Sequence, residues 1–210
     1  MPRLLDVGGG GGQLAALARG RRWFAASTDL AHQGCAAARA SGVRAAVQAD
    51  GACLPFRDGT IDAVTLVNVV DQAHAPLEIL REAHRVLAAG GLVALRVPNA
   101  WFHRPWVRLL VALGPFVRSR GWDAYPAVHH FAFTPAGLTR IVERAGFRVL
   151  ALGNSVAASR EPVARSRPTA MLPRWGRGAL VTAAAVLATL SRDRYLVGPS
   201  VDLFAQKGAG

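Results

Sequence analysis

The stretch Leu4-Leu5-Asp6-Val7, followed by Gly8-Gly9-Gly10-Gly11-Gly12 and then by Gln13 to Arg19, reads as a buried strand, a glycine turn and a helix. Lacking Cβ atoms, such a turn lets backbone N–H groups come to closest range of a ligand, and the helix start adds partial positive charge. It suits a nucleotide-like molecule. Asp29 stands about 20 positions further on, at the end of the next strand-like run, where a carboxylate can accept both hydroxyls of a ribose. The same position suits an N-cap of the following helix, and the two roles are compatible.

Outward from this unit the chain alternates strand and helix. Strands are predicted at Trp23–Thr28, Val43–Gln48, Ile61–Val67, Leu92–Val97, Phe147–Leu152 and Ser200–Gln206. Helices are predicted after Asp29, over Pro76–Leu87 with proline in the first turn, and over Pro135–Ala145 with Thr134 as N-cap and Gly146 as terminator. The alternation is that of a doubly wound α/β sheet. It breaks at about 101–125, an aromatic and Arg-rich stretch read as an insertion over the sheet, and at about 159–178, read as a basic loop.

The chain has 210 residues, which predicts a single domain over 1–210. With 51% apolar and 18% charged residues, intrinsic disorder is excluded. Basic residues number 25 against 13 acidic, a net charge of +12 that admits nucleic acid or an anionic membrane as partner. The inference is blunted because Lys207 is the one lysine, in a chain rich in Arg, Ala and Gly. Cys35 and Cys53 form no CxxC pair, so neither a disulfide framework nor a metal site is expected. No signal peptide is expected ahead of the first strand, and the expected location is cytoplasmic. The longest uncharged apolar run, Gly178 to Leu190, is shorter than the roughly 18 to 20 residues of a transmembrane helix, although its arginine flanks admit peripheral membrane contact.

The glycine turn fits two patterns. Gly10, Gly12 and Ala15 satisfy G-x-G-x-x-A, a dinucleotide fingerprint; Asp6, Gly8, Gly10 and Gly12 satisfy D-x-G-x-G-x-G. The segments downstream favour the second. Val47 to Phe56 (VQADGACLPF), Asp58 to Val64 (DGTIDAV), Ala83 to Leu92 (AHRVLAAGGL), and His129 to Pro135 with Ala145-Gly146-Phe147 follow in order. Together with the turn, they resemble the motifs of class I S-adenosylmethionine-dependent methyltransferases of the type 11 and UbiE-like small-molecule group. The resemblance covers roughly residues 4 to 153.

That resemblance implies a Rossmann-like sheet of seven strands with the last antiparallel, a helical lid insertion, and S-adenosyl-L-methionine as cofactor. The implied cofactor-binding residues are Asp6, Gly8, Gly10, Gly12, Asp29, Leu30, Asp50, Gly51 and Asn68, with Asp50 approaching the adenine amino group. Asp71 and His129 are the implied catalytic candidates on the acceptor side, and His74 shares the loop of Asp71. The acceptor is expected to be small and apolar, methylated at oxygen or carbon. His84, beside Arg81 and Arg85, is expected on a solvated helix face. Some features depart from the group: the motif begins at residue 4, and Asp71-Gln72 stands where relatives carry basic residues. They favour an alternative, a cofactor-binding pseudoenzyme or partner protein, while the net charge favours an RNA methyltransferase. A nicotinamide oxidoreductase is a more distant reading.

Overall fold

The computed structural model describes residues 1–112, 130–155, 196 and 198–209. The strands are β1 (Arg3–Val7), β2 (Phe24–Asp29), β3 (Ala45–Gln48), β4 (Ile61–Val67), β5 (Leu87–Pro98), β6 (Phe147–Asn154) and β7 (Ser200–Lys207). The helices are α1 (Gln13–Gly20), α2 (His32–Ala40), α3 (Pro76–Val86), α4 (Ala100–Ala112) and α5 (Pro135–Arg144). The seven strands form one sheet in the order β3-β2-β1-β4-β5-β7-β6, with β7 antiparallel to both of its neighbours. The expected Rossmann-like sheet and its antiparallel last strand are therefore present.

Alternation along the strands divides the core. Leu5 and Val7, Val64 and Leu66, Val93 and Leu95, and Leu203 and Ala205 bury against α3 and α5 on one face. Leu4 and Ala25 pack with Ala15 of α1 and Ala38 of α2 on the other. Each fully buried Val or Leu contributes about 1.5–3 kcal/mol relative to exposure, so these two clusters carry most of the folding energy. Arg96 on β5 stands opposite Asp202 on β7, and their two-pronged ion pair, 2.7 Å from Nε to Oδ1, reinforces the antiparallel register.

Element types agree with the sequence reading, and the differences lie at junctions. Helix α3 ends at Val86, and Leu87 already pairs with Ile61 as the first residue of β5. The strand therefore takes in Gly90-Gly91, ahead of the predicted start at Leu92. Register shifts between Ile61 and Ala63 absorb the extra residues, because buried Leu87 and Leu95 each keep their place in the core. Thr134 caps α5, its Oγ1 accepting from Gly137 N at 3.1 Å. Thr134→Ala is expected to cost about 1 kcal/mol in urea denaturation, and an unchanged midpoint would show the cap to be idle.

The segments that carry the downstream motifs serve to hold the sheet edge. Glu82 of α3 accepts from Leu54 N at 2.7 Å, and Arg85 donates to Glu82, to Asp58 and to the carbonyls of Leu54 and Phe56. Arg85 keeps the Glu82 carboxyl below its ordinary range. This clamp fixes the chain between β3 and β4, which borders the candidate site. His84 is not on a solvated face: it is half-buried, edge-on to Phe147 at 5.0 Å, with Gly146 close against its ring. Burial, and then the Lys207 ammonium, lower the pKa of its imidazole. The 101–125 insertion is described only to Ala112, where it is helical. The 159–178 loop and the 178–190 run lie outside the described residues.

Candidate active site

Parallel strands β1, β2, β3 and β4 end together, so the loops that follow them share one edge of the sheet. Gly8 to Gly12 leave β1 there. Gly9 N donates to the Thr28 carbonyl at 3.0 Å and Gly12 N to the Gly9 carbonyl at 2.9 Å, closing the turn. Gly10 N donates to Asp29 Oδ2 at 2.8 Å, so the carboxylate predicted from spacing is bound to the turn itself.

The positions of Gly10 and Gly12 differ in kind. Both have left-handed backbone, with φ of 50° and 74°. A Cβ at Gly12 would lie 2.8 Å from Ala38 Cβ and 3.1 Å from Ala38 Cα, so α2 occupies that space. A Cβ at Gly10 would meet nothing within 4 Å. The turn is thus packed at its helix end and open at its middle.

Asp29 does not cap α2. The N-cap position is Ala31, and Asp29 Oδ1 accepts from Ala31 N at 2.8 Å in a side-chain turn. Its two oxygens thus hold the glycine turn and the start of the next helix together. Gly34 makes room for this: a Cβ there would stand 3.0 Å from the Asp29 carboxyl carbon. Sequence reasoning missed Gly34, whose one signal is a glycine one turn into an alanine-rich helix.

Asp6 lies beneath the turn, 3% exposed, and its Oδ1 accepts from Thr65 Oγ1 at 2.7 Å. A Cβ on Gly9 would fall 2.5 Å from Asp6 Oδ2, so the turn lies directly on this carboxyl. Burial pushes the Asp6 pKa from the ordinary 3.8 up to about 6; the Thr65 bond opposes the shift and the Asp29 charge adds to it. Well below pH 3.8 the carboxyl is protonated folded and unfolded alike. As pH rises the unfolded chain ionises first, so stability from this group falls until about pH 6 and is flat above. Asp6→Asn is expected to remove this component, on the order of 2–3 kcal/mol between pH 4 and 7. The check is urea denaturation across pH, where an unchanged slope in Asp6→Asn would assign the dependence elsewhere.

The other predicted residues gather around the same edge. Leu30 is 70% exposed, and its carbonyl accepts from Gln48 Nε2 at 3.0 Å. Asp50 is exposed, with Oδ1 accepting from Ala52 N at 2.9 Å. Gly51 sits over Val7 and Ile79. Asn68 follows β4 in left-handed backbone with φ 55°, its N–H donating to the Arg96 carbonyl at 2.8 Å. The next residue, Val69, packs on Gly8 and so ties this loop to the turn. Asp71 is buried, and its carbonyl accepts from Phe131 N at 2.9 Å, bringing the 130–133 segment to the same side. The exposed His74 lies 4.8 Å from His130, ring to ring. His129 lies outside the described residues. Among the described residues no group of three or more His, Cys, Asp or Glu could hold a metal ion.

Residues 5–95 match the model of a methyltransferase domain family. An uncharacterised methyltransferase of Mycobacterium sp. (strain JLS) is 36% identical over 94 residues, 44% of this chain and 37% of that protein. The chain thus spans little over a third of the length of the curated relatives it matches. Among solved structures, a methyltransferase in complex with the Trm112 methyltransferase activator of Haloferax volcanii superposes with TM-score 0.69 at 16% identity, over 100% of this chain and 83% of that one. An S-adenosylmethionine-dependent methyltransferase of Mesorhizobium loti gives TM-score 0.65 at 19% identity, over 98% and 90%. Likeness at such identity speaks for the fold alone. The motifs, the family match over the glycine turn and the strand order agree: residues 5–95 match the methyltransferase domain family, and the chain has the class I S-adenosylmethionine-dependent methyltransferase fold.

Proposed function

We propose that the chain binds S-adenosyl-L-methionine and transfers its methyl group to a small, apolar acceptor at oxygen or carbon. The observation that carries this reading is the open space over Gly10, bordered by the Asp29 carboxylate at the end of β2. The residues fit the cofactor. Each Asp29 oxygen spends one lone pair on a backbone N–H and retains a second for a ribose hydroxyl. Gly10 leaves the turn open to a ligand, while Gly8 and Gly12 let it fold closely on Val69 and α2 and so shape that opening; Leu30 offers an exposed apolar side chain, and Asp50, Gly51 and Asn68 line the loops on either side of β4. Asp6 supports the turn from beneath.

When bound, the sulfonium supplies an activated methyl group and a good leaving group, so the protein's task is chiefly positioning. For a hydroxyl acceptor a general base adds to the rate, and Asp71 and His129 are assigned to the acceptor side in that role. Calorimetry tests the cofactor assignment directly. S-adenosylhomocysteine is expected to bind and NAD is not; the reverse would replace this reading with a nicotinamide enzyme. Binding with no methyl transfer across a panel of hydroxyl and carbon acceptors would instead favour the cofactor-binding partner protein.

A further inference from the structure

Helix α4 begins at the C-terminal end of β5, on the edge of the sheet shared with Gly10 and Asn68. Its first turn is anchored inward. Ala100 is buried, and His103 Nε2 lies 2.9 Å from the Pro199 carbonyl. At 3.6 residues per turn Trp101, Arg104, Pro105 and Arg108 fall within an arc of roughly 100°, and all four are exposed, Trp101 by 54%. Val107 borders the arc, 39% exposed. Ala100 N donates to the Phe133 carbonyl, which carries Phe131, also 39% exposed, alongside the first turn.

Charge on this surface has one sign. Residues 83 to 122 contain no Asp or Glu. Among the described residues, ion pairs involve Arg81, Arg85 and Arg96, whereas Arg104 and Arg108 have no carboxylate within range. Unpaired guanidinium groups beside an exposed indole and other apolar side chains match a layered partner, anionic at its surface and apolar just beneath. Arginine buries its stem and keeps its head among phosphates, while tryptophan prefers the boundary between headgroups and acyl chains. A nucleic acid would use the arginines but leave Pro105, Val107 and Phe131 without a role.

We infer that the Trp101, Arg104 and Arg108 stripe of α4, with the neighbouring Phe131, docks the chain on an anionic lipid surface. The inference does not depend on methyl transfer, because vesicle binding is measured without turnover.

The test is cosedimentation of the full chain with vesicles of equal parts phosphatidylglycerol and phosphatidylcholine, against phosphatidylcholine alone, at about 0.1 M salt. Preferential binding to the anionic vesicles is expected. Arg104→Gln with Arg108→Gln should weaken it roughly thirtyfold, about fivefold per arginine. Arg140→Gln with Arg144→Gln on α5, an equal loss of charge elsewhere, should retain most of it. No preference for the anionic vesicles, or equal losses in the two double variants, overturns the inference. So does a loss confined to an RNA oligonucleotide with vesicle binding intact, which would assign the stripe to nucleic acid. Should the α4 double variant fail to fold, Trp101→Ser decides by the same readout: weakened vesicle binding upholds the docking surface and unchanged binding removes it.

Discussion

Gly12→Ala is expected to destabilise the fold by roughly 2–5 kcal/mol, whereas Gly10→Ala, two residues away, is expected to cost about 1–2 kcal/mol and to impair ligand binding. Both positions impose left-handed backbone on the new residue, worth about 1–2 kcal/mol. At Gly12 the added methyl also meets Ala38 Cβ at 2.8 Å and Val43 at 3.1 Å. Helix α2 is held on the sheet by buried Cys35 and Ala38, so it cannot withdraw without opening the smaller core cluster, and overpacking adds about 1–3 kcal/mol. At Gly10 the methyl enters open space, the space assigned above to the cofactor. Urea denaturation separates the two variants by stability, and calorimetry with S-adenosylhomocysteine by affinity. A Gly10→Ala variant that binds as tightly as the parent would place the ligand elsewhere. A Gly12→Ala variant of unchanged stability would mean that α2 yields at little cost.

The contrast between these glycines marks how far the sequence could be read. Five consecutive glycines announce a turn after β1, but they are identical on paper, and only their neighbours tell support from opening. Those neighbours, Ala38 and Val43 for one and the Asp29 carboxylate for the other, come from residues distant in the chain. The seven strands were legible because each is a short apolar run between breakers, and a run's burial follows from its own composition. Junctions were less so. Leu87 fits a helix's last turn as well as a strand's first residue, and its pairing with Ile61 decides. His84 between two arginines looks solvated locally, and the residues that cover it, Gly146 and Phe147, belong to the start of β6. Thr65 carried no signal at all: its bond to Asp6 exists because β4 lies beside β1.

Asp29 is where the sequence expectation and the structure diverge in an experimentally useful way. Read from spacing alone, a ribose carboxylate can be removed with little effect on stability, and Asp29→Asn should preserve the melting temperature. The bonds to Gly10 N and Ala31 N change that expectation. Asp29→Ala leaves the half-buried Gly10 N–H and the exposed Ala31 N–H without their charged acceptor, at about 1.5–3 kcal/mol for a fully desolvated bond and less where water reaches, as at Ala31. We expect a total of about 1–3 kcal/mol, chiefly from the Gly10 N–H, together with a ten- to hundredfold loss of affinity for S-adenosylhomocysteine. Asp29→Asn offers one oxygen where two are used, so one donor must face an amide N–H₂, and a cost of about 1–2 kcal/mol follows. Its affinity should fall between those of Ala and the parent, since the turn is only partly held and the remaining oxygen is neutral. Paired urea and calorimetric titrations of both variants check the order. Should both variants lose stability yet bind S-adenosylhomocysteine at parental strength, Asp29 would be a brace for the glycine turn and not a ligand to the ribose.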